Sequence, residues 1–100
     1  MFLNYFLEFI GTMFYVYVIL ATGNPLAIGA AIALVILLIR NISGAYLNPV
    51  VTIVMASARQ IPNTEVLPYC LAEILGGLVA LEVYKRVKTP KAAIMTEDQA

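Results

Sequence analysis

The stretch Ser43-Gly44-Ala45-Tyr46-Leu47-Asn48-Pro49-Val50-Val51-Thr52 decides how the rest of the chain is read. It places a helix start where a loop is expected: Asn48 suits an N-cap, and Pro49 suits the first helical position, where a missing N–H removes no intrahelical bond. The residues after it, Val50 to Ala58, are apolar enough to be expected buried. A helix from Pro49 to Ala58 is about 15 Å long at roughly 1.5 Å per residue, half of a hydrocarbon layer about 30 Å thick. Apolar runs flank it on both sides, so it reads as a half-helix that enters a membrane and stops inside it. Irregular backbone is tolerated at that depth only where protein buries it or water solvates it. The stretch therefore predicts a site or a pore.

Working outward toward the N-terminus, residues 3–21 form a first predicted span, near the roughly 20 residues needed to cross. Asn4, Glu8 and Thr12 recur at i, i+4 and i+8, with Tyr5, Gly11 and Tyr15 close to that face, which gives the helix one polar stripe. A charged residue at the centre of a span costs roughly 2.5–3.5 kcal/mol on insertion scales, so Glu8 must be protonated or held by donors inside a bundle. Met1 to Leu20 has no basic leading segment, carries Glu8 inside its apolar run and lacks a convincing small-x-small cleavage site, and is read as a retained helix rather than a signal peptide. Thr22-Gly23-Asn24-Pro25 is a turn into a second span over 25–40, with Asn24 as cap and Pro25 in the first turn. Ala27, Gly29, Ala30, Ala31 and Ala33 would let another backbone approach this helix closely. Arg40 closes it, and the sequon Asn41-Ile42-Ser43 lies too near the membrane for modification to be expected.

On the other side of the half-helix, Ser57 to Glu65 is polar, broken by Pro62, and reads as a surface return. A third span covers 66–84, with Pro68 in its first turn and Lys85-Arg86 at its end. Glu73 lies within this span and must protonate, pair or meet water, whereas Glu82 sits near the interface. The domain reading is thus a membrane unit over residues 1–86 followed by a polar tail over 87–100 that shows no binding motif.

Composition excludes several classes of function. With 62% hydrophobic and 12% charged residues, the chain is not a soluble domain. Six basic and six acidic residues cancel, and no basic patch suits nucleic acid. There is no histidine, and the single cysteine, Cys70, reads as a small packed hydrophobe. No catalytic group, metal site or cofactor is expected, and Glu8 and Glu73 are the only paired intramembrane acids.

The quoted stretch resembles the signature Ser-Gly-Ala-His-x-Asn-Pro-Ala-Val-Thr of the major intrinsic proteins, the aquaporins and glycerol facilitators. Glu8-Phe9-Ile10-Gly11-Thr12 is similar to the Glu-x-x-Gly-Thr of that family's first helix, and Tyr69 to Gly77 to its Tyr-x-x-Ala-Gln-x-x-Gly-Ala third-helix pattern. The three motifs occur in order between about Phe6 and Tyr84. The resemblance implies an all-α membrane fold of three transmembrane helices plus one re-entrant half-helix, half of the family fold, with Glu8 buttressing the re-entrant loop. Tyr46 stands where the family has histidine, Val50 where it has alanine, and Glu73 where it has glutamine. Val51 takes the place where the family's second motif has its selectivity arginine. The family fold pairs two such units about an in-plane pseudo-two-fold axis, and these 100 residues hold the half-helix signature once, at residues 43–52.

The function implied is a passive transmembrane channel for water or small neutral solutes, formed by two or more units. In a homo-oligomer such as an antiparallel dimer, the two half-helices would meet at the midplane. Pore residues would be Gly44, Ala45, Tyr46, Leu47, Asn48, Pro49 and Val50, with Asn48 donating to water, the carbonyls of Gly44 to Leu47 accepting, and Glu8 and Glu73 supporting the loop. Arg40 and Arg59 on the half-helix side stand against Lys85, Arg86, Lys88 and Lys91 on the tail side, a bias toward a cytosolic tail. The alternative is a non-conducting structural protein that organises a membrane assembly, viral or cellular, motivated by the missing second motif, Val50 and Tyr46. The expected partner in either case is the lipid bilayer.

Overall fold

The computed structural model describes residues 2–87, and the tail reading, from Lys88 onward, lies outside them. Four α-helices follow one another: α1 (Phe2–Thr22), α2 (Pro25–Ile39), α3 (Pro49–Ser57) and α4 (Val66–Val87), with a 3-10 turn at Asn63–Glu65 leading into the last. The described residues are all-helical apart from their connections. Two stretches, Phe2–Thr22 and Asn63–Val87, are long and apolar enough to cross a bilayer, while Pro25–Ile39 has 15 residues.

Local chemistry sets the boundaries. Asn24 Oδ1 accepts from the amides of Leu26 and Ala27 at 2.9 and 3.0 Å, and Pro25 opens α2. Asn48 repeats the device at α3, where its Oδ1 accepts from Val50 N–H at 2.7 Å behind Pro49. In each case the side chain satisfies a helix-end donor that has no intrahelical acceptor. At the end of α2, Ser43 N–H and Gly44 N–H still donate to Ile39 and Arg40 carbonyls at 3.0 and 3.1 Å, so the chain leaves the helix through a tight turn.

The long helices α1 and α4 form the principal packing pair, with α2 against α1 and α3 against α4. Two glycines set how close this packing is. A Cβ on Gly76 would run into the Phe9 carbonyl oxygen and would lie 3.2 Å from Thr12 Cβ, so α4 lies directly on the backbone of α1. A Cβ on Gly11 would come within 2.8 Å of Leu47 and Val35, which seats both α2 and the loop before α3. The small residues of α2 play a lesser part than its sequence implies. Ala31 is buried, but Gly29, Ala30 and Ala33 are exposed and a Cβ on Gly29 would meet nothing within 4 Å.

The expectation that Val50 to Ala58 is buried is corrected by the structure. Thr52 and Ala56 are buried against the helix pair, but Val50, Ile53 and Val54 remain 67%, 51% and 57% exposed. Having α4 as its main packing partner, α3 covers one face, and the rest of its apolar surface is open. Large apolar side chains also point outward from the long helices, among them Phe6, Phe14, Leu71 and Leu78, as suits a surface whose solvent is hydrocarbon.

Candidate functional site

The loop between α2 and α3 is the least ordinary backbone among the described residues. Gly44, Ala45 and Leu47 have φ of +95°, +53° and +59°. Left-handed backbone costs a non-glycine residue about 1–2 kcal/mol, because Cβ crowds the carbonyl oxygen that follows. Ala45 and Leu47 both accept that strain, so other contacts must hold them. Gly44 tolerates its conformation freely, and a Cβ there would sit 2.7 Å from the Tyr46 ring, which folds back over it.

Glu8 supplies the restraint. Ser43 Oγ donates to Glu8 Oε2 at 2.6 Å, Tyr46 N–H to the same oxygen at 3.2 Å, and Leu47 N–H to Oε1 at 2.8 Å. Glu8 is fully buried, and its carboxyl takes three donors from a loop 35–39 residues away. Ser43 Oγ also accepts from Ala45 N–H at 3.1 Å, so one hydroxyl links the carboxyl to the strained backbone. Tyrosines hold the loop carbonyls at each end: Tyr69 Oη donates to Ser43 O at 2.7 Å and Tyr15 Oη to Leu47 O at 3.1 Å.

Glu73 faces this assembly from α4. It is 1% exposed, receives the Thr52 hydroxyl at 2.7 Å on Oε2, interacts with the backbone N–H of Asn48, and meets the Glu8 carboxyl directly. Glu73 thus has hydrogen-bonding neighbours from α3 and the loop, and no cation is paired with it among the described residues. Thr12, one turn along α1 from Glu8, is buried with an Oγ1 that has no hydrogen-bond partner among the described residues. Glu82 lies apart from the site, exposed, beside Lys85 at 3.5 Å and Arg86 at 3.0 Å. Cys70 is a free thiol near the Pro49 carbonyl.

Beside the loop lies an open cleft of about 470 Å³ lined by Tyr15, Ile32, Arg40, Val51, Met55 and residues 44–48. No donor among the described residues reaches the carbonyls of Gly44, Ala45 and Tyr46, and no acceptor among them takes the Asn48 side-chain NH₂. Gly44 to Asn48 thus line one cleft together, Pro49 and Val50 open the helix behind it, and Val50 points to the exterior. The Leu47 carbonyl, expected to be available with its neighbours, already serves Tyr15.

Sequence reasoning gave no role to Ser43, Thr52, Tyr15 or Tyr69, which complete the hydrogen bonding. Signals for two of them were present, since Tyr15 lies by the polar stripe of α1, and Tyr69, Glu73 and Gly76 recur at i, i+4 and i+7 and so share one face of α4. Among the described residues no group of His, Cys, Asp or Glu side chains is arranged to hold a metal ion.

The family model for the major intrinsic proteins matches residues 23–99. Glycerol uptake facilitator protein-like 6 of Lactiplantibacillus plantarum is 37% identical over 91 residues, which cover 82% of this chain and 42% of the relative. Aquaporin AqpM of Methanothermobacter marburgensis is 49% identical over 52 residues, covering 52% and 21%. Aquaporin Z of Bradyrhizobium diazoefficiens is 38% identical over 61 residues, covering 61% and 25%. The chain spans less than half the length of each of these relatives. No solved structure matches it significantly. With its loop chemistry and this match over residues 23–99, the chain belongs to the major intrinsic protein family and is an integral membrane protein.

Proposed function

We propose that the chain forms part of a passive channel for water or small neutral solutes, with α1, α2 and α4 crossing the bilayer and α3 re-entering it as a half-helix. The observation that carries this reading is the set of unclaimed polar groups beside the cleft: three successive loop carbonyls and the Asn48 NH₂ at the head of α3. Groups of that kind at membrane depth require a polar occupant, because each costs several kcal/mol against hydrocarbon. A file of water supplies it, accepting from Asn48 and donating to the carbonyls of Gly44 to Tyr46. The N-terminal end of α3 adds a positive dipole that disfavours cations and protons at the same point.

The exposed face of α3 supports completion of the pore by a further unit. Val50, Ile53 and Val54 leave an apolar surface beside the cleft. A second unit in the opposite orientation would cover that surface and bring a second half-helix to the midplane, either as another copy or as a further length of chain like that in the longer relatives. At 15 residues α2 is about 22 Å long at about 1.5 Å per residue, so the turn through Ser43 completes its crossing. Osmotic shrinkage of vesicles carrying the chain, compared with empty vesicles of the same lipid, tests the channel reading. Protease access to the tail from one or both sides of the vesicles tests the antiparallel pair, which requires tails on both.

A further inference from the structure

The contact between Glu8 and Glu73 has no cation in it. Both carboxyls are buried, at 0% and 1% exposure, and they meet where α1 packs on α4. The titratable groups that face them are Tyr15 from α1, Tyr46 from the loop, and Tyr69 and Cys70 from α4, all uncharged at neutral pH. From α3 comes the Thr52 hydroxyl. Arg40 lines the cleft but pairs with neither carboxyl, and the ion pairs among the described residues are those of Glu82 with Lys85 and Arg86. Two carboxylates cannot remain in contact under these conditions, since buried like charges repel strongly and both would be stripped of water.

We propose that Glu8 and Glu73 form a proton-binding site, in which a single proton bridges the two carboxyls and fastens the loop and α3 to the α1–α4 pair. The proton belongs on Glu73. Both oxygens of Glu8 are already taken as acceptors, Oε1 by Leu47 N–H and Oε2 by Tyr46 N–H and the Ser43 hydroxyl. Glu73 has one hydroxyl and one backbone N–H, leaving an oxygen able to carry hydrogen and donate it to Glu8. The bridge is a hydrogen bond from the Glu73 O–H to a Glu8 carboxylate oxygen, the short, charge-assisted kind. One negative charge then remains, spread over a network of donors, and no counter-ion is required.

The arrangement also explains how glutamic acid serves at position 73. A glutamine there would offer an N–H to Glu8 in the same place, and the protonated acid offers an O–H.

Infrared spectroscopy of the full chain in lipid vesicles at neutral pH tests it. The wild type is expected to show the C=O stretch of a protonated carboxylic acid, shifted in D₂O, and Glu73→Gln is expected to lose that band while keeping the helical amide signal. Thermal unfolding of Glu73→Gln should stay close to wild type, because the amide keeps the donor. Folded wild-type protein without a protonated carboxyl band would overturn the proposal, and this readout needs no variant to fold. A band that persists unchanged in folded Glu73→Gln would overturn it equally, since the proton would then sit elsewhere.

Discussion

The Glu8 carboxyl and the Leu47 amide meet at 2.8 Å across 39 residues of sequence. That bond joins the polar stripe of α1 to a residue held at φ +59°, one step before the cap of α3. The shape of the loop is therefore set by a side chain on another helix. Where the strained backbone costs about 1–2 kcal/mol per residue, two buried N–H groups given a carboxylate acceptor return at least as much.

Replacing Glu8 with alanine should be among the most damaging single changes. It leaves the amides of Tyr46 and Leu47 without an acceptor in a buried site, each costing about 1–3 kcal/mol. Thermal unfolding in detergent should show a large fall in Tm for Glu8→Ala and a smaller one for Glu8→Gln, whose amide oxygen still accepts. Equal behaviour of the two variants would show that the loop does not depend on this acceptor.

Gly76→Ala should separate α1 from α4. Its new Cβ runs into the Phe9 carbonyl, which is backbone and cannot rotate away, and overpacking of this kind costs about 1–3 kcal/mol. Gly29→Ala is the matched control, since its Cβ meets nothing within 4 Å, and helix propensity gives it a gain of about 0.5–1 kcal/mol. Opposite signs for the two Tm shifts are the expected result.

The hydroxyls around the loop predict a graded series. Tyr69→Phe removes the donor to Ser43 O and Tyr15→Phe the donor to Leu47 O, each worth about 0.5–1.5 kcal/mol. Thr52→Val keeps the volume but takes a hydroxyl from Glu73, at about 1–3 kcal/mol for a buried carboxyl left short of a donor. Thr52→Val should therefore lower Tm the most, and Tyr15→Phe, at the partly exposed end, the least.

Much of the site was legible because its chemistry is local or periodic. Asn24-Pro25 and Asn48-Pro49 announce their caps within two residues, and Asn4, Glu8 and Thr12 mark one helix face by spacing alone. Burial of Glu8 followed from its position in an apolar run. The partners of Glu73 were not legible, because the bond from Thr52 spans 21 residues and depends on how α3 lies on α4. The same holds for Tyr69, whose hydroxyl reaches Ser43 across 26 residues. The exposed face of α3 was misjudged for a physical reason: an apolar sequence reports preference for a non-aqueous surrounding, not which surface provides it. The small residues of α2 misled in the same way, since small size permits close approach and the contact itself was made by Gly11 and Gly76.

The most direct test of the channel reading is the rate at which vesicles holding the purified chain shrink in a hyperosmotic step, measured against temperature for wild type, Asn48→Asp and empty lipid. Fast shrinkage with a low activation energy in the wild type is expected. Asn48→Asp should abolish the gain, since its carboxylate keeps the cap but removes the NH₂ donor and places a charge beside the cleft. Shrinkage no faster than bare lipid, from protein shown to be folded and inserted, would contradict the reading and leave this unit as a membrane-packing element.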